Sequence, residues 1–285
     1  MNSRRTVSLF LRGGNDFILM LATQVAALDG WRRSLLCFAL GVVATCALPP
    51  SHALPLLVPA FAGLLWVIAA ARSPWRAALS GWWFGFGHFL AACYWVGAAL
   101  LTDPDKFAWV AVPAVLGLSA GLALFPALAA LVVFLSRRTG FSRVVVFAVA
   151  WTVTEWLRGH LLSGFPMNLI GTSWTLSEGM IQIAAVTGVW GLSLLTVMCA
   201  ASPALLADGE IPSDEKVLSG LKVDWLRLAP VLIAAATLEA VWAGGALRLG
   251  GARVEMVPGV ALRLVQPNIA QNHKWHPELR AAHLQ

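Results

Sequence analysis

"WTVTEWLRGHLLSGFPMNLIGTSW", residues 151–174, runs from an apolar helix into a segment that cannot continue one. Glu155 and Arg158 stand three apart on one helical face, where they can neutralise each other. Beyond them Gly159, Gly164, Pro166 and Gly171 fall within about a dozen residues, a density that breaks helical backbone. An ionisable residue at membrane depth faces a cavity or a partner, and non-helical backbone there is tolerated only where protein or water covers it. If the flanks cross a membrane, a re-entrant or interfacial segment is expected over about 163–175. Two roles stay open for it: a structural pairing of Glu155 with Arg158, or an opening at the outer surface, where Arg158 and the Gly164-Phe165-Pro166 break admit a phospholipid headgroup or a peptide.

The flanks do read as membrane. Of the 285 residues 59% are hydrophobic and 12% charged, more apolar side chain than a soluble core of this length needs. A hydrocarbon core about 30 Å thick takes roughly 20 apolar residues per helix. Runs of that kind fall at about 34–49, 53–71, 77–101, 107–135, 144–162, 180–207 and 228–247, so the chain is expected to be an α-helical polytopic membrane protein with about seven transmembrane helices. Its loops are asymmetric. Arg4, Arg5, Arg12, Arg32, Arg33, Arg72, Arg76, Arg137, Arg138, Arg143, Lys216, Lys222 and Arg227 fall on one side, against Lys106 and Arg158 on the other, and that bias makes the amino terminus cytoplasmic. Seven crossings then place the segment after about residue 248 outside.

The net charge of +6 does not signal nucleic acid, because no basic run interleaved with aromatics lies on a polar face. The twin arginines of "MNSRRTVSLFLRGGND" read as part of a cytoplasmic basic extension, residues 1–33, with a short interfacial helix. Cys37, Cys46, Cys93 and Cys199 all lie in apolar runs without metal-ligand spacing and read as small buried hydrophobes. Neither a metal nor a cofactor is expected. Gly81 with Gly85, and Gly117 with Gly121, recur at the spacing that lets helix backbones approach. "GFGH", residues 85–88, lacks the third glycine and the strand-to-helix context of a nucleotide site. From about residue 260 the pattern changes, and "VALRLVQPNI" alternates as a half-buried strand ended by Pro267.

Three motifs together carry a family resemblance. "EWLRGHLLSGFPMNLIGTSW" resembles the E-W-x-R-G-x-x-x-x-G-F-P-W-x-x-x-G pattern of bacterial apolipoprotein N-acyltransferases, with Met167 in place of the usual tryptophan. "GWWFGFGHFLAACYWV", residues 81–96, is similar to their third helix. "ALRLVQPNIAQNHKWHPE" is similar to the segment that opens their periplasmic nitrilase-like domain, with Trp275 matching a tryptophan placed beside the active site. The resemblance implies transfer of an acyl chain from a phospholipid donor to the amino-terminal cysteine of a diacylated lipoprotein acceptor, at the bacterial inner membrane, in lipoprotein biosynthesis.

In the family a glutamate base, a lysine at the oxyanion and a cysteine nucleophile do this chemistry through a thioester. None of the three has a counterpart here, so no catalytic residue is assigned, and the 285 residues are expected to be inactive by themselves. The implied layout is a basic extension over 1–33, a transmembrane domain over 34–247, and over 260–285 the first strand of an incomplete nitrilase-like α/β domain, loosely docked because one strand cannot bury a sheet face. The expected substrate-binding residues are Trp275, Arg158, Glu155, Phe165 and Pro166. A non-catalytic lipid-binding remnant and a membrane transporter are the other readings. The transporter lacks a helix break in the first half to match that of residues 159–171.

Overall fold

The computed structural model describes residues 17–101, 104–208, 225–252, 258–266, 268–269, 273–274 and 277–279. They form a helix bundle: α1 (Phe17–Ala27), α2 (Gly30–Thr45), α3 (Leu57–Ala69), α4 (Pro74–Cys93), α5 (Val96–Leu100), α6 (Pro104–Leu122), α7 (Leu124–Ser136), α8 (Gly140–His160), α9 (Glu178–Ile181), α10 (Ala184–Ala201) and α11 (Trp225–Gly250). Short 3-10 turns occupy Leu54–Leu56, Ile170–Trp174, Ser202–Ala207 and Pro277–Leu279. Local chemistry sets several ends. Asp29 caps α2 by accepting from Gly30 N, and Ser73 caps α4 by accepting from Arg76 N at 3.3 Å, with Pro74 in the first turn.

The apolar runs became helices, yet the count of crossings differs from expectation. Among the described residues four stretches are long and apolar enough to cross a membrane, not seven: Asp105–Ser136, Gly140–His160, Ala184–Ala207 and Leu228–Gly250. α2 and α3 have only 16 and 13 residues, below the length a full crossing needs. α4 has 20 residues, but Arg76, Ser80 and His88 dilute its apolar character. The chain is thus a helical membrane protein whose first helices are too short or too polar to be recognised as spans.

Packing follows the small residues. Phe61 of α3 lies at the centre of the core, with Phe84, Phe147 and Trp151 around it at ring separations of 5.9, 5.7 and 4.9 Å. A side chain on Gly85 would come within 2.9 Å of the Ala123 backbone, just before α7, and of Pro126 in its first turn, so that glycine sets the close α4/α7 approach. Gly117 and Gly121 have nothing within 4 Å of a Cβ position, and the expectation that they pack a helix pair is not met.

The expected strand is not formed either. Residues 258–266 lie in turn and coil, with Val260, Leu262, Leu264 and Val265 exposed, and no β-strand is present among the described residues. A strand needs a neighbour for its backbone groups, and the described residues offer none. Alternating sequence alone could not supply it.

Candidate functional site

α8 ends at His160, and the next nine residues are non-helical. The chain reverses through three left-handed residues, Leu162, Gly164 and Asn168, at φ of 56°, 73° and 55°. At Gly164 a Cβ would also press on the carbonyl of Gly159, so glycine is required there on two counts. Phe165 N closes the reversal by donating to Arg158 O at 2.8 Å.

Beneath this break lie Glu155 and Arg158, both buried. They share a helix face as expected, but they form no ion pair among the described residues. The Arg158 guanidinium donates through Nη1 to the carbonyls of Phe165, at 2.8 Å, and Met167, and it lies 5.0 Å over the ring of Phe89. Its Nη1 meets backbone carbonyls that helix formation would otherwise have satisfied. Glu155 Oε1 accepts from Trp151 Nε1 at 3.1 Å and from Ile170 N at 3.0 Å. The carboxylate therefore starts the 3-10 turn Ile170–Trp174, much as a cap residue starts a helix. Gly171 N donates to Ser193 Oγ at 2.8 Å, tying the same turn to α10.

Of the expected site residues, the structure brings four together. Glu155 and Arg158 lie below the break, while Phe165 and Pro166 form it. Phe165 is half-buried against Phe89, Cys93 and Leu122, whereas Pro166 and the neighbouring Met167 are exposed. Trp275 lies outside the described residues. Sequence reasoning passed over Trp151, His88, Asn168 and Ser193. Trp151 stands four residues before Glu155, a helical spacing that could have flagged it. His88 is 1% exposed within a helix, a placement that calls for polar partners; its Nδ1 lies 3.0 Å from Thr45 Oγ1. Asn168 donates to Cys93 Sγ at 3.4 Å. No sequence signal pointed to Ser193.

The arrangement pairs buried polar side chains with broken backbone. It can hold a shaped, non-helical edge at one end of the bundle. Comparison with known proteins agrees with the motif. Residues 40–202 match the family model described as the apolipoprotein N-acyltransferase N-terminal domain. A relative named apolipoprotein N-acyltransferase from Rhodopseudomonas palustris is 37% identical over 266 residues, covering 92% of this chain and 48% of that protein. One from Brucella melitensis is 40% identical over 274 residues, covering 93% and 49%, and one from Caulobacter vibrioides is 36% identical over 251 residues, covering 87% and 44%. The chain spans about half the length of the curated relatives it matches. With a family model over more than half of its residues and the motif's glutamate, arginine and Gly-Phe-Pro joined in one structural unit, this chain belongs to the apolipoprotein N-acyltransferase family.

Proposed function

We propose that the chain serves transfer of an acyl chain from phospholipid to the amino-terminal cysteine of a diacylated lipoprotein, supplying the membrane portion and its substrate-facing edge. The observation that carries this reading is the braced break: Arg158 on the carbonyls of Phe165 and Met167, and Glu155 on the amide of Ile170. Phe165 and Pro166 form the edge toward lipid and lipopeptide, Arg158 and Glu155 stand under it, and Trp275 is a further substrate-binding residue by its match to the family motif. The extension over 1–33 and the helical domain over 34–247 complete the layout.

We place the protein in the bacterial inner membrane with the arginine-rich end cytoplasmic and the break periplasmic. The skew of basic residues supports this, and so does the path of α11. That helix packs against the turn Ser202–Ala207, at the arginine-rich end, and through Trp242 and Gly245 against Gly179 of α9, with Arg248 donating to Gln182 just beyond α9. That path supports putting the end of α11 on the side of the break, whatever the number of crossings before it.

The test is retention and transfer of a labelled diacylated lipopeptide by the purified chain in phospholipid vesicles. Expected is saturable retention without transfer, weakened about tenfold by Phe165→Ala, the loss of roughly 1.4 kcal/mol of contact. Transfer by these 285 residues would refute the assignment of no catalytic residue. Absence of saturable retention would refute the substrate-facing edge.

A further inference from the structure

A cavity with room for about one water molecule lies between α4, α7, α8 and the break. Its polar walls are His88, Thr154, Glu155, Arg158 and Asn168. Glu155 is 5% exposed, and while its Oε1 receives two N–H groups, its Oε2 is fully enclosed and has no hydrogen-bond partner among the described residues. The Ser193 hydroxyl stands near the same carboxylate without completing a bond to Oε2. Arg158, one turn further along α8 and 2% exposed, lines the same cavity. A carboxyl group and a guanidinium thus share a water-sized space without touching, and the carboxyl keeps an oxygen without a partner among the described residues.

A group that fits must donate to a carboxylate oxygen, accept from a guanidinium N–H and be no larger than the cavity. Water does all three; a phosphate or an ammonium ion on a carbon chain is too large, and a metal cation would be repelled by Arg158. We propose that the cavity is a binding site for one water molecule, which joins Glu155 Oε2 to the Arg158 guanidinium and so completes the brace under the break. The water donates one O–H to Oε2 and accepts one N–H from Arg158, with Thr154 Oγ1 and the Asn168 amide available as further partners, the two to four that a buried water takes. Glu155 and Arg158 then act as positioning residues, because together they hold the backbone of residues 165–170 in place. This goes beyond the proposed transfer function and does not depend on it.

The test uses the full 285-residue chain in nanodiscs. A structure at a resolution that shows waters is expected to contain one peak within hydrogen-bond distance of Glu155 Oε2. A direct Glu155–Arg158 contact, or a dry cavity, would overturn the proposal. Amide hydrogen exchange over 161–172 tests the brace at Glu155 against direct charge pairing, while the water peak itself separates the water from the simple cap on Ile170. In Glu155→Gln an oxygen still accepts from Ile170 N, and a water can turn to accept from both the new amide and Arg158, so exchange should stay within about twofold of wild type. Glu155→Met has similar length and no polar atom, and exchange should rise at least about tenfold, the equivalent of one lost hydrogen bond. Equal damage in both variants would mean that direct charge pairing, not a bridging water, sets the brace, and wild-type protection in Glu155→Met would mean that no brace is needed. If Glu155→Met does not fold, the wild-type water peak still decides the matter.

Discussion

At one end of the bundle arginines are buried against side chains and an intact helix end; at the other, Arg158 is buried against broken backbone. Arg33 donates to Ser80 Oγ at 3.0 Å and to Val67 O at 2.9 Å, and Arg143 grips Asp208 through two contacts of 2.6 and 2.8 Å. The Arg143–Asp208 contact staples helix ends that keep their helical hydrogen bonds without it, and Arg33 adds a donor at one last-turn carbonyl of an otherwise intact α3. Arg158 and Glu155 instead satisfy peptide groups that have no helical partner at all. The difference teaches where a substitution propagates. At the arginine-rich end it loosens a contact between helices, whereas under the break it removes what gives nine residues their shape.

The most severe test of this contrast is Arg158→Met. It strands two carbonyls, at Phe165 and Met167, and leaves the enclosed Glu155 carboxylate without a nearby cation. Charge-assisted hydrogen bonds of this kind are worth about 1.5–3 kcal/mol each, so the expected loss is about 3 kcal/mol or more, read from thermal unfolding in detergent. Arg158→Lys should recover only part of it, because an ammonium lacks the flat guanidinium face that lies over Phe89. If Arg158→Met unfolds with the wild type, the break is held by something other than its brace.

Arg143→Met is the counterpart at the opposite end and should cost less, about 1–2 kcal/mol. Asp208 keeps a side chain 28% exposed and can turn to solvent when its partner is lost, and Arg143 Nε already lacks a partner. A double-mutant cycle with Asp208→Asn measures the coupling. A cost for Arg143→Met larger than for Arg158→Met would reverse the comparison.

How much of this could be read beforehand differs between the two ends for the same reason. The apolar runs announced the helices, and arginines outside them announced the loop bias, since both depend on composition along the chain. Sequence treated Arg33 and Arg143 as solvent-facing topology signals, yet both are buried, because burial depends on where Ser80 and Asp208 fold to, 47 and 65 residues away. Near the break, spacing placed Glu155 and Arg158 on one face but suggested that they pair. The carbonyls that Arg158 meets are 7 and 9 residues further on, in a loop whose three left-handed turns no spacing rule specifies. The strand expected near residue 260 failed on similar grounds: alternation shows which face could be buried, and a pairing partner decides whether it is.

The smallest effect belongs to Arg76 and Asp29, an exposed pair at the arginine-rich end. Arg76 Nη1 donates to both carboxylate oxygens of Asp29, at 2.8 and 2.9 Å. That hydrogen bond first, and the Gly30 amide second, hold the Asp29 carboxyl below its usual value of 3.8. A lowered value in the folded chain means that the pair's contribution is present above pH 3.8 and disappears as pH falls through the lowered value. Since both side chains are about half exposed, salt should screen the contribution, and at neutral pH Asp29→Asn should leave stability nearly unchanged because asparagine can still cap α2. What Asp29→Asn should remove is the part of the acid limb that depends on ionic strength, measured by unfolding at pH 2.5–5 in low and high salt. If instead the variant loses stability at neutral pH, this exposed staple matters as much as the buried ones, and the two ends of the bundle are less different than their geometry says.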